Sequence, residues 1–188
     1  MESQYIRDVL DGNPLGFRYF ISKYKDMAYS VAFRIVRNRE DAEEIVQDSF
    51  LRAFKSLHSF RKDSKFSTWF YRIVVNRALS VRKISENEYV SGIDINDLAE
   101  THAGMIETAF DAMEADERSG FINSALDKLP GEDSLLLTLF HLNENSVKEI
   151  NEITGISQEN IKMKLSRARK KLLAVLQNEL KFELKNIL

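Results

Sequence analysis

Apolar residues in this chain recur at intervals of three and four over long stretches, and strand-like alternation is scarce. The pattern predicts helices over Glu2–Leu10 and Leu15–Arg37, a third capped by Asn38 and reaching Leu57, and a fourth capped by Ser67 and running to Lys83. Asn13-Pro14 separates the first two, where proline suits a first helical turn. Glu40, Asp41, Glu43 and Glu44 put negative charge at the positive end of the third. Further helices are expected near Arg118–Leu129, Glu132–Asn143, Ser146–Ile153 and Gln158–Leu180. Only Pro14 and Pro130 could break a helix, so the expected fold is all-α.

Between the two sets of helices the pattern weakens. Ser85–Glu117 holds ten acids and no base, whereas residues 1–84 carry 16 Lys/Arg against 10 Asp/Glu and residues 118–188 carry 11 against 9. The net charge of −2 conceals this order of basic, acidic and modestly basic. We therefore expect two small helical domains, 1–84 and 118–188, joined by an acidic linker over 85–117. The linker is compatible with a plain solvated tether, or with a segment that lies in a basic channel or masks a basic surface.

Several function classes drop out. The chain has no cysteine, which excludes disulfides and thiolate metal sites and fits a reducing compartment. No stretch stays apolar long enough to span a bilayer, and the acids and proline of the first residues do not suit a secretory signal, so no membrane insertion and a cytoplasmic setting are expected. His58, His102 and His141 lack metal-ligand spacing, and there is no phosphate-binding glycine loop or nucleophile motif. The expectation is a protein without metal or cofactor that is not an enzyme.

The strongest local signal is SVKEINEITGISQENIKMKLSRARKKL. Val147, Ile150 and Ile153 form an apolar stripe, Thr154-Gly155 makes a turn, and Ser157 caps a second helix with Ile161, Leu165, Ala168 and Leu172 inward. This is helix-turn-helix spacing, which purely structural bundles also use. The outer face argues for DNA, with Lys162, Lys164, Arg167, Arg169, Lys170 and Lys171 within ten residues. At about 100° per residue, Glu159, Met163, Ser166 and Lys170 point outward, flanked by Asn160, Lys162 and Arg167. Arg167 is the best candidate for pairing with guanine, a contact worth about 1–3 kcal/mol of discrimination.

Two further places stand out. In NREDAEEIVQDSFLRAFKSL, Ala42, Val46, Phe50, Ala53 and Leu57 make an inner stripe, opposite Glu44, Asp48, Leu51 and Lys55. An exposed leucine is ordinary, but Leu51 beside Gln47 and carboxylates also has the form of an apolar anchor in an acidic rim, suited to a basic protein surface. In SFRKDSKFSTWFYRIVVNRALSVRK, aromatics crowd among cations. Trp69, Phe70 and Ile73 are expected to be mostly core. The loop Phe60–Phe66 is basic and aromatic, the mixture that holds single-stranded nucleic acid. Arg72, Asn76 and Lys83 share one face of the helix beyond it.

Taken together, the arrangement resembles a bacterial sigma factor of the extracytoplasmic-function (ECF) group within the sigma-70 family. DAEEIVQDSFLRAFKSL looks like the family's core-polymerase-binding segment, FRKDSKFSTWFYRIVVN like its promoter-melting and −10 segment, and ALDKLP with GISQENIKMKLSRARKKL like its −35-reading domain. The resemblance implies binding to core RNA polymerase through Asp41, Glu44, Gln47, Asp48 and Leu51. It implies capture of unpaired −10 bases by the Phe60–Ser67 loop, with Phe60, Arg61, Asp63, Ser64 and Lys65, together with Asn76. It implies −35 duplex contacts from Asn160, Lys162, Met163, Ser166 and Arg167, an anti-sigma partner, and a linker threading the polymerase's RNA path. GEDSLLLTLFHLNEN stands where the family has an arginine-containing helix, Asn151 where alanine is common, and Met163 where a small polar residue is usual. The competing readings are a helix-turn-helix regulator that binds duplex without polymerase, and a decoy for polymerase or anti-sigma factor.

Overall fold

The computed structural model describes residues 2–85 and 114–187, with side chains described to residue 83 in the first stretch and residue 180 in the second. Most of the acidic linker expected from the sequence therefore lies outside the described residues. Eight α-helices are present among them: α1 (Glu2–Leu10), α2 (Phe17–Val36), α3 (Arg39–Ser56), α4 (Phe66–Ser85), α5 (Ala115–Asp127), α6 (Gly131–Leu137), α7 (Val147–Thr154) and α8 (Gln158–Ile187).

Local chemistry sets most boundaries. The Asn13 side chain accepts from the Leu15 N–H and starts a short 3₁₀ turn, Pro14–Gly16, ahead of α2. Asn38 caps α3 by accepting from the Asp41 N–H at 3.1 Å. Ser146 and Glu149 form a reciprocal capping box on α7. Gly155, at φ 76°, closes that helix in the left-handed conformation that glycine adopts without steric cost.

Helices α2, α3 and α4 pack mutually around aromatic rings, with α1 alongside. Phe20 and Phe66 lie 4.2 Å apart, and Phe50 stacks on Phe70 at 4.5 Å. The inner stripe of α3 is wider than the sequence expectation. Ile45 and Ser49 are buried with Ala42, Phe50 and Ala53, while Val46 is half-buried, because α3 meets both α2 and α4 and turns a wider face inward. Phe70 is fully buried, whereas Trp69 and Ile73 are half-exposed.

The second body is aliphatic. Leu126, Leu129, Leu135, Leu136, Leu137 and Leu139 join Ile150, Ile153, Ile161 and Leu165. The expected helix over Glu132–Asn143 is interrupted. After α6 the backbone widens into a π turn over Thr138–Leu142, where the Asn143 N–H donates to the Thr138 carbonyl. The Leu139 carbonyl, which an α-helix would offer to Asn143, instead accepts from both the backbone and the side chain of Asn145. The two bodies share one hydrophobic core, since α7 packs on α4 and α6 packs on α2.

Candidate nucleic-acid interface

The turn between α7 and α8 is clamped by its own polar side chains. Asn151 donates to the Ile156 carbonyl at 2.7 Å, and Thr154 donates to the Ile150 carbonyl at 2.7 Å while accepting from the Ile156 N–H. The polar residue that stands where alanine is common thus fixes the turn and sets the angle of α8. Ile161, Leu165 and Ala168 are buried as expected, and Leu172 is half-buried. Asn160, Lys162, Met163, Ser166 and Arg167 are all exposed on the opposite face, Met163 by 45%.

The cationic face of α8 is narrower than six charges. Lys164 pairs with Glu132 at 2.5 Å and Lys171 with Asp133 at 2.6 Å. Arg169 lies over the Phe140 ring at 5.1 Å and donates to His141 Nε2 at 3.2 Å. Burial and then the Arg169 charge hold His141 below its ordinary value, consistent with a neutral ring accepting that bond. These three cations therefore fasten α8 to α6 and the π turn, leaving Lys162, Arg167 and Lys170 on the exposed face.

In the loop before α4, the half-buried Phe60 ring packs against Trp69 at 5.2 Å and Phe66 at 5.9 Å. Lys62 takes the left-handed conformation at φ 62°, which turns the chain and leaves Arg61, Lys62, Asp63 and Lys65 exposed, with Ser64 half-buried. Arg61 pairs with Asp63 at 3.2 Å, and Lys65 reaches Glu149 of α7 at 2.9 Å. Asn76 is exposed on α4, ten residues beyond Phe66, or about 15 Å along the helix. The loop and Asn76 form two stations along α4.

On α3, Glu44, Gln47 and Leu51 are exposed, Leu51 by 59%. Asp41 and Asp48 are half-buried, and Asp48 is engaged by Arg77 of α4 at 2.6 Å and by Arg52 at 3.0 Å. Asp48 thus ties α3 to α4 as well as edging the exposed face. Phe54, 40% exposed and one turn beyond Leu51, extends the apolar surface, and its ring meets the edge of Phe17 at 5.2 Å. Its i+3 spacing from Leu51 was the signal in the sequence for this missed residue.

The chain matches two family models, Sigma-70 region 2 over residues 20–83 and Sigma-70, region 4 over residues 122–172. It is 30% identical over 181 residues to the ECF RNA polymerase sigma factor SigW of Bacillus subtilis, covering 92% of this chain and 95% of that protein. With the ECF RNA polymerase sigma-E factor of Haemophilus influenzae the identity is 28%, covering 87% and 89%. The fold is shared with CnrH, solved in complex with the cytosolic domain of CnrY, at TM-score 0.62 and 22% identity over 93% of this chain and 96% of that one. It is also shared with the sigma factor RpoE of Bartonella quintana, solved with the anti-sigma factor NepR, at TM-score 0.62 and 20% identity over 86% and 96%. The two matched regions account in order for the α3 face, the aromatic loop with α4 and the helix-turn-helix, and the chain belongs to the ECF RNA polymerase sigma factors of the sigma-70 family.

Proposed function

We propose that this sigma factor divides its work among three surfaces. The α3 face of Asp41, Glu44, Gln47, Asp48 and Leu51 docks on core RNA polymerase. Phe60, Arg61, Asp63, Ser64 and Lys65, with Asn76, hold unpaired −10 bases, and Asn160, Lys162, Met163, Ser166 and Arg167 read the −35 duplex. Residues 1–84, 85–117 and 118–188 then act as the polymerase and −10 domain, the acidic linker and the −35 domain. The carrying observation is that all five candidate duplex contacts share one exposed face of α8, held in place by a hydrogen-bonded turn.

Such a protein makes and breaks no covalent bond. Opening duplex costs stacking and pairing energy, which capture of extruded bases offsets by stabilising the open state. Duplex readout at one end and unpaired-base readout at the other each add specificity. Two relatives of the same fold were solved with CnrY and with an anti-sigma factor, which supports an anti-sigma partner here. We place the chain in the bacterial cytoplasm, where polymerase and promoter DNA are.

Reconstitution with core polymerase tests this directly. The holoenzyme is expected to select promoter fragments from genomic DNA and initiate on them. Arg167→Ala should lose about 1–3 kcal/mol of discrimination at the upstream element while still binding polymerase. Tight duplex binding by the free chain, without any co-purification with polymerase, would favour a conventional regulator.

A further inference from the structure

The outward face of α8 is polar except at one point. Glu159, Asn160, Lys162, Ser166, Arg167 and Lys170 are exposed around Met163, which is itself 45% exposed. Among the described residues of α8 the other exposed large hydrophobic is Leu173, about 15 Å further along the axis and beyond the hairpin. A lone exposed methionine is ordinary on a protein surface. Here the surroundings remove its freedom to turn away. Ile161 and Leu165, two residues to either side, are buried. Lys164, next in sequence, is paired with Glu132, Lys171 with Asp133, and Arg169 rests on the Phe140 ring. The Asn151 and Thr154 hydrogen bonds fix the turn that leads into the helix. With α8 held against rolling about its axis, the thioether stays presented to solvent at the centre of the face.

The chemistry of what meets that point follows from the groove. In helix-turn-helix complexes the second helix enters the major groove, and the flanking cations Lys162, Arg167 and Lys170 suit the phosphates that line it. Base edges there are marked by hydrogen-bond donors and acceptors, and the one apolar mark is the C5 methyl of thymine. A thioether donates no hydrogen bond and accepts only weakly. Pressed on a polar edge, Met163 would dry donors and acceptors that it cannot satisfy. Against a methyl it gains, because water leaves two apolar surfaces at once. Its unbranched chain also adapts to the angle of approach. Along the axis Met163 stands about 4.5 Å from Asn160 and about 6 Å from Arg167. Those intervals are one to two base-pair steps of about 3.4 Å.

We propose that Met163 is a specificity-determining residue that reads a thymine through its C5 methyl, within about two base pairs of the position read by Arg167. The inference rests on reading α8 as the helix that enters the −35 duplex. It assigns the element a T·A pair chosen by an apolar contact, beside pairs chosen by hydrogen bonds. A small polar side chain at this position would leave the methyl in water and the pair unread.

Holoenzyme assembled from the full-length chain tests this on a promoter fragment that it selects. Each thymine of the upstream element is replaced in turn by deoxyuridine, which removes the methyl and keeps every hydrogen-bonding group. Competition against the unmodified, fluorescein-labelled fragment reads relative affinity. One replacement is expected to weaken wild-type binding about fourfold, the value of one buried methylene-sized group. Holoenzyme carrying Met163→Ser should bind the thymine and uracil forms of that fragment equally. Because Met163 is exposed, this variant should keep its fold, which circular dichroism checks. A flat uracil scan overturns the proposal, as does an upstream element without thymine. A sensitive thymine that Met163→Ser still distinguishes overturns it too, since another group then reads the methyl. Arg167→Ala separates the two levels of the reading. If it relaxes upstream discrimination while the uracil scan is flat, the thymine contact alone falls. If neither variant changes upstream discrimination, the assignment of α8 to the −35 duplex falls with it.

Discussion

The two bodies of this sigma factor are filled by different chemistry. In the first, Phe17, Phe20, Tyr24, Phe50, Phe66 and Phe70 are buried with rings in mutual contact, on three helices of 18 to 20 residues. In the second, leucine and isoleucine fill the centre, and α6 and α7 have only seven and eight residues. Aromatic side chains bury about 150–250 Å² each, so a few close a core between long helices. Short aliphatic helices need neighbours, and α7 and α6 find some of theirs in α4 and α2. The first body is thus internally closed, and the second leans on it.

The largest expected effect breaks that comparison at its stronger side. Phe70 is fully buried, so Phe70→Ala should cost about 3–5 kcal/mol. Leu136→Ala, at an equally buried position in α6, should cost about 2–5 kcal/mol. Because one core runs through both bodies, each variant should lower a single thermal transition, followed by circular dichroism. Two separated transitions in either variant would show that the shared core contributes no cooperativity.

What the sequence disclosed differs between the bodies for the same physical reason. Helix periodicity is a local property, and it located α1 to α4 and α7 within a few residues and α8 at its start, although α4 begins at Phe66, before the expected Ser67 cap, and α8 runs past the expected Leu180 to Ile187. The Asn38 cap, the Thr154-Gly155 turn and the outward face of α8 were legible because each depends on neighbours a few residues away. The π turn was not, because it follows from where the Leu139 carbonyl finds its donors. The pairing of Lys164 and Lys171 with Glu132 and Asp133 was hidden too, so the cationic face looked wider than it is. Nothing in the spacing of Arg34 and Asp127, 93 residues apart, could announce their contact.

A smaller effect is expected where the first body meets polymerase. Leu51 is 59% exposed, so its removal leaves no buried cavity, and Leu51→Ala should change stability by less than about 0.5 kcal/mol. If Leu51 anchors the polymerase interface, the same variant should weaken binding to core polymerase by more than about 1 kcal/mol, read by competition with wild-type protein. Duplex binding through the second body should stay unchanged. Equal losses of polymerase and duplex binding would instead indicate a general structural defect and remove Leu51 as a dedicated contact.

The smallest expected effect separates what the second body supplies to its own helix cap from what it takes from the first. Burial opposes ionisation of Glu149, but the Lys65 ammonium and then the Ser146 backbone N–H and hydroxyl outweigh it and hold the carboxyl at about 2, against an ordinary value of 4.5. A depressed carboxyl contributes its stability fully above the ordinary value and loses it as pH falls toward the folded one. Acidification from pH 4.5 towards 2 should therefore weaken both the α7 cap and the link to Lys65. Lys65 is well exposed, with 69% of its side chain accessible, so solvent screens the pair and its share should stay below about 1 kcal/mol. In Lys65→Met only the Ser146 bonds remain to hold the Glu149 carboxyl down, so its pKa should rise and the acid-dependent loss, measured by denaturant unfolding between pH 5 and pH 3 (about the range where a carboxyl titrates), should shrink. An unchanged pH slope would assign the depression to the cap alone, making the second body self-sufficient at α7 and leaving Arg34 and Arg37 among the polar groups that hold the two bodies together.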